Sequence, residues 1–135
     1  MDFSQRYNFD VDKCEGGVWF PFGTGRIKLA RFNSKRHKSA QDKHARVNAL
    51  ASMAGVKVDE DTAKRTFIKI VAEGIIVEWE GFSLNGQPYA YTPENAEAQL
   101  VEHPDFLEDV FALANNYDAF RREAVAVAVG NSPTS

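Results

Sequence analysis

The stretch Ile75 to Leu100, IIVEWEGFSLNGQPYAYTPENAEAQL, places a strand, a turn and a helix start within 26 residues. Ile75, Val77 and Trp79 alternate with Glu78 and Glu80, the period of a strand with one face buried. Asn85-Gly86 is a tight-turn dipeptide, because both residues accept the positive φ that a two-residue hairpin loop requires. An aromatic extended run resumes from Pro88 to Tyr91. Thr92 then supplies an N-cap oxygen, Pro93 suits the first helical position, and Glu94 favours the positive helix end. Strand followed by helix in so short a span predicts a mixed fold.

Working towards the N-terminus, Gly17–Phe22 and Arg26–Phe32 read as two extended runs joined by Gly23-Thr24-Gly25, a β-hairpin. Val18, Phe20 and Phe22 share one face of the first strand, and Ile27 and Leu29 face away from Arg26 and Lys28 on the second. Pro21 cannot donate to a ladder, so the first strand is expected at an edge. Tyr7 to Val11 reads as a third extended piece. Between Ser34 and Met53 the chain is polar and basic, with a helix expected from about Ala40 through Ser52 and Gly55 as its stop. Its stripe is Val47, Leu50, Ala51 and Ala54, whereas NSKRHKSAQDKHAR has almost nothing to bury and is expected on the surface. Asp59 is a candidate N-cap for the next helix, whose buried face carries Ala63, Phe67, Ile70, Val71 and Gly74.

Working towards the C-terminus, His103-Pro104 breaks the helical run and Pro104 opens a second helix with Leu107, Val110, Phe111 and Ala114 on one stripe. A further stripe, Phe120, Ala124, Val127 and Ala128, is stopped by Gly130, and residues 131–135 read as a flexible tail. The expected architecture is α+β. A small N-terminal antiparallel sheet or hairpin, β-rich over residues 7–32, precedes a mainly helical part over residues 40–130, all in one globular domain of residues 1–130. Trp19, Phe67, Trp79 and Phe111 are the expected structural anchors.

A chain of 135 residues buries enough surface to fold around one core without staples. Its 44% hydrophobic and 26% charged residues are the balance of a soluble globular protein, and no apolar run reaches the roughly 20 residues that span a bilayer. The opening MDFSQRYNFD lacks the basic and apolar regions of a secretory signal, so a cytoplasmic location is expected. Cys14 has no second cysteine to pair with, and reads as an inert small residue. Charge is segregated: residues 1–58 carry 11 Lys/Arg against 5 Asp/Glu, and residues 59–135 carry 5 against 14. Such asymmetry points either to a basic surface for nucleic acid or to copies that attract each other head to tail.

Catalytic and metal chemistry find little support. His37 and His44 are seven residues apart but lack a third convergent ligand, and read as solvated surface. Asp10-x-Asp12 has neither the glycine nor the distal glutamate of a calcium loop. Glu78 and Glu80 share a strand face, which alternation turns outward. Gly23-Thr24-Gly25-Arg26 is followed by a strand, not by the Lys-Ser or Lys-Thr helix start of a phosphate loop. No Gly-x-Ser-x-Gly elbow occurs. The expectation is a non-enzyme with no cofactor and no metal. A nucleic-acid reading rests on Arg31, Lys35, Arg36, Lys38, Lys43 and Arg46, interleaved with Phe32, His37 and His44. Against it, a charge run is usually a solvated face, and no groove-reading motif adjoins it.

The Trp79 segment also resembles the tail assembly chaperones of long-tailed bacteriophages, in which a Trp-containing stretch leads through Gly, Pro and Tyr or Phe into a "[ST]-x-E-N-A" helix start. The matching residues are Trp79, Gly81, Gly86, Pro88, Tyr89, Tyr91, Thr92, Glu94, Asn95, Ala96 and Leu100, followed by Pro104, Phe106 and Asn115 to Phe120. The likeness covers roughly residues 60–131, and YNFDVDKCEGGVWFPF looks like the start of some phage proteins of this class. The resemblance implies stoichiometric binding in the host bacterial cytoplasm. Many copies coat the helical tape measure protein, yield to tube subunits, and are absent from the mature virion. The tape measure protein, the tail tube protein and further copies of the chain are the partners it implies, with no membrane. Phe82, Tyr89 and Tyr91 beside the turn, and Phe120, Ala124 and Val127 on the last stripe, are candidate partner-binding residues, with ordinary core as the alternative for each. Arg31, Lys35, Arg36, Lys38, Lys43 and Arg46 are candidates for self-association or nucleic-acid contact. Another phage tail structural component is the remaining reading.

Overall fold

The structure, a computed structural model, describes residues 1–122. Strands β1 (Val18–Phe22) and β2 (Gly25–Leu29) form the expected hairpin, with Val18 opposite Leu29 and Phe22 opposite Gly25. The third strand of this sheet is β3 (Ile76–Glu80), antiparallel to β2, so β2 is central and Pro21 sits on an edge strand. The sheet thus draws a strand from the segment expected to be mainly helical. Tyr7 to Val11, expected to be strand, is instead the junction of two short helices, α1 (Phe3–Arg6) and α2 (Val11–Gly16). Asp2 and Asp10 are their N-caps, accepting from the Ser4 and Lys13 N–H groups. Within that segment only Phe9 makes a β-type contact, an isolated antiparallel bridge to Arg121.

A register shift corrects the expected alternation in β3. Trp79 faces Ile27 and Glu78 faces Lys28, but Leu29 then faces Ile76, leaving Val77 as the extra residue of a bulge. Ile76 and Trp79 therefore both point into the core, and Val77 is only half-buried. Glu78 and Glu80 are exposed, as alternation requires.

Helix α3 (Lys35–Met53) begins well before Ala40 and turns an unexpected face inward. His37, Ala40 and His44 are 4%, 7% and 9% exposed, whereas Val47 and Leu50 of the expected stripe are 56% and 65% exposed. The reason lies in its neighbour, α4 (Glu60–Gly74), whose facing residues are polar or minimal. His44 Nε2 lies 3.0 Å from Glu73 Oε2, and Asn48 Nδ2 donates to Thr66 Oγ1 at 3.1 Å. Gly74 admits Ala40 at van der Waals distance, so close that a Cβ on Gly74 would lie 2.9 Å from the Ala40 Cβ. The seam is matched in polarity, and a hydropathy pattern cannot register it.

Asp59 caps α4 as expected, accepting from the Thr62 N–H, and α4 packs on both α3 and α5 (Pro93–Glu102). Between them a second hairpin, β4 (Ser83–Leu84) and β5 (Gln87–Pro88), turns at Asn85 and Gly86 with φ of 52° and 81°. Helices α6 (Pro104–Ala114) and α7 (Tyr117–Phe120) follow, and the fold is α+β. Ile27, Leu29, Val71, Ile75, Ile76, Leu100, Val110 and Phe120 form the fully buried centre. Of the expected anchors, Phe67 is half-buried and Phe111 is 37% exposed. They stack on each other at 5.6 Å, and Phe111 stacks on Phe32 at 4.5 Å. Trp19 is no core anchor: it lies on the outer face of β1, covered by the Arg26 guanidinium 3.9 Å above its ring.

Candidate functional site: an aromatic cleft beside Trp79

Trp79 is 5% exposed and organises an open aromatic cleft. Its indole N–H donates to the Tyr89 carbonyl at 2.8 Å, fixing the ring against the chain that returns from the second hairpin. Phe82 stacks on it at 5.0 Å, Tyr89 at 6.0 Å, and Tyr91 meets it edge-on at 5.3 Å. Phe22 packs on both Phe82 and Phe106 at 5.7 Å, so the end of β1 and the first turn of α6 complete the wall. The cleft has a volume of about 440 Å³, with Leu84, Gln99, His103 and Asp109 around its lip.

Two glycines permit this arrangement. A Cβ on Gly25 would collide with the Glu80 carbonyl oxygen, and one on Gly81, where φ is 76°, would lie 3.0 Å from the Gly25 Cα. With neither present, the chain reverses directly after β3 and lays Phe82 back over Trp79. Thr92 caps α5 by accepting from the Asn95 N–H at 2.9 Å, which directs Gln99 and His103 to the opposite rim. Pro104 starts α6 and so sets Phe106 in its first turn.

The candidate partner residues fall into different environments. Phe82 and Tyr89 line the cleft. The Tyr89 hydroxyl is 3.3 Å from the Asn95 carbonyl and accepts from Gln99 Nε2 at 3.2 Å, so one edge of that ring is committed to α5. Tyr91 lies behind Trp79, with its hydroxyl 2.9 Å from the carbonyls of both Ala72 and Ile76, and burial raises its phenol above the usual range. Phe120 is 0% exposed, a correction to its expected place on a docking face: it packs in the core at 6.1 Å from Phe20. Ala124 and Val127 lie outside the described residues, as do Ala128, Gly130 and the expected tail. Phe22 is expected from the sequence only on one face of the first strand, and Phe106 only as part of the family resemblance; neither they nor the lip residues are expected at a site. Phe22 at the hairpin end and Phe106 two residues after a helix-starting proline were the available signals.

The basic segment also divides. The Arg31 guanidinium lies 3.7 Å over the Phe9 ring, and Lys43 pairs with Glu73 at 3.3 Å. Lys35, Arg36, Lys38 and Arg46 stand exposed on α3. His37 and His44, expected as solvated surface, face α4. Burial pushes the Cys14 thiol up, which keeps it protonated at neutral pH. Among the described residues no three His, Cys, Asp or Glu side chains converge as a metal set, and no helix is long and apolar enough to cross a membrane.

Comparison with protein families places this α+β chain among phage-related proteins. The family model described as "YdaY prophage protein" matches residues 32–131, most of the chain, and the protein belongs to that family. No curated protein and no solved structure matches the chain.

Proposed function

We propose that this prophage protein is a tail assembly chaperone that binds the tape measure protein and keeps it soluble while the tail tube assembles around it. The observation that carries the reading is the cleft, in which Phe22, Trp79, Phe82 and Phe106 present apolar surface behind an exposed lip. A helical tape measure exposes apolar stripes that aggregate when uncovered, and an aromatic cleft accepts side chains from such a stripe. The likeness of the Trp79 segment to tail assembly chaperones and the membership of a prophage family support it. The action is stoichiometric and needs neither cofactor nor turnover. It belongs in the host cytoplasm, and the protein is absent from the finished virion.

Co-expression with the tape measure protein of the same prophage, followed by nuclease treatment, pull-down and size-exclusion chromatography, tests this. The expected result is a soluble complex holding several copies of this chain. Leu84, 40% exposed on the lip, gives the surface variant. Leu84→Asp should lower recovery of the complex while leaving the circular dichroism of the free protein unchanged. A tape measure that stays insoluble, with the chain recovered on nuclease-sensitive material, would sink the proposal. That outcome favours the second reading, nucleic-acid contact through Lys35, Arg36, Lys38 and Arg46, which stand exposed along one helix.

A further inference from the structure

Helix α3 carries five Lys/Arg against one Asp, whereas residues 93–114, the span of α5 and α6, carry six Asp/Glu and no Lys or Arg. Folding cancels these charges only in part, with the Glu15 carboxylate also held against the Lys35 and Arg36 N–H groups. Lys43 pairs with Glu73 and Lys69 with Glu97, but among the described residues Lys35, Arg36, Lys38 and Arg46 have no acidic partner. Glu94, Glu102, Asp105, Glu108 and Asp109 likewise have no basic one, and all are exposed. The basic set lies on α3, which packs on α4, and the acidic set on α5, which also packs on α4, and on α6, which packs on α5 and β2.

We propose that the protein assembles head to tail, the basic outer face of α3 on one copy meeting the acidic outer face of α5 and α6 on the next. These opposite charges do not satisfy each other within one molecule. They match when an unlike face is presented, and such a heterologous contact leaves one face of each sign open for a further copy. Apolar surface accompanies both patches. Val47, Leu50 and Met53 on α3 are 56%, 65% and 84% exposed, and Val101 and Phe111 on the acidic helices are 40% and 37% exposed. Charge then sets orientation and register while apolar contact contributes holding energy. A nucleic acid would cover α3 but leave the acidic face without a counterpart, so a second copy accounts for both. The inference does not rest on the tape measure reading, and the chain alone tests it.

Sedimentation velocity of the nuclease-treated, full-length protein at about 50 mM and about 500 mM salt is the experiment, because screening shortens the reach of exposed charges from over 10 Å to a few ångströms. The sedimentation coefficient should rise with protein concentration at low salt and fall to that of the monomer at high salt. Lys35→Glu/Arg36→Glu/Lys38→Glu and Glu102→Lys/Glu108→Lys should each weaken association at least about tenfold. An equimolar mixture should restore it, because each reversed face then meets an opposite one, and restoration also shows that both variants are folded. A wild-type protein that stays monomeric at low salt, or a mixture that stays as dissociated as its components, overturns the proposal.

Discussion

The backbone N–H of Asn33 donates to Nδ1 of His37 across 2.9 Å, and Asn33 holds a left-handed conformation, φ 70°, to make that bond. A ring nitrogen that accepts cannot also carry a proton. Burial, reinforced by the charge of Lys38, lowers the His37 pKa from its ordinary value. The unfolded chain therefore takes up a proton near pH 6.5 that the folded chain refuses until lower pH. Stability should be full above about pH 6.5 and decline as pH falls towards the lowered folded value, after which this contribution is flat. Urea midpoints between pH 7.5 and 5.5 check it: the wild type should lose stability over that window and His37→Gln should lose less.

A second acid limb comes from Glu73. Burial pushes its carboxyl up, but hydrogen bonds from His44 and Lys43 outweigh that and hold it below the usual range. Its contribution is present above the unfolded carboxylate pKa, about 4.3, and disappears as pH falls through the lower folded value. Glu73→Gln should flatten the stability profile below about pH 4.5 and leave the His37 limb intact.

At Gly74 the backbones of α3 and α4 approach too closely for a Cβ to fit without a shift. Gly74→Val should cost about 1–3 kcal/mol, because a branched side chain must displace Ala40 and the His37 backbone. The equivalent change at Gly55, which has open space around it, meets no neighbour and is penalised only through its φ of 86°. A loss at Gly74 well below about 1 kcal/mol would show that the helices can slide apart, and would contradict a tight seam.

Trp79→Phe keeps a ring in the core but leaves the Tyr89 carbonyl without its donor, at a cost of about 1–2 kcal/mol. Its fluorescence isolates Trp19, whose indole sits on the outer face beneath Arg26. That remaining signal should not respond to occupation of the cleft, whereas the signal of Trp19→Phe should.

Much of the fold was legible because it is written locally. Thr92, Asp59, Asn85-Gly86 and the hairpin around Gly23-Thr24 each carry their own geometry, and each stands where the sequence puts it. Helix α3 was misread because its determinants are distant. Ser34 caps it, but the Glu15 carboxylate from α2 also accepts from the Lys35 and Arg36 N–H groups at 2.7 and 3.0 Å. Its buried face is built of His and Ala because Glu73 and Gly74 oppose it. The cleft was half legible: Phe82 and Tyr89 flank the visible turn, but Phe22 and Phe106 reach it only through tertiary packing. Phe120 was misplaced because helical spacing alone does not say which side of a stripe is covered.

That remote cap gives a further prediction. Glu15→Ala should fray the first turn of α3, raising amide exchange at residues 35–38, with a loss of about 1 kcal/mol or less. Unchanged exchange there would mean that Ser34 alone suffices to start the helix.

The bridge between Phe9 and Arg121, flanked by Asp10 N–H to Phe120 and Arg122 N–H to Asn8, joins the beginning of the described chain to its end. Phe120, inserted in the core beside Phe20, is thus supplied by almost the last described residues. During synthesis the two hairpins and the α3–α4 pair can form as soon as they leave the ribosome, since their contacts are short in sequence. The core itself cannot close until residue 120 has emerged, and such a long-range contact carries its loop-closure cost before it returns any burial. A nascent chain stalled short of that point therefore exposes the apolar interior that Phe120 seals.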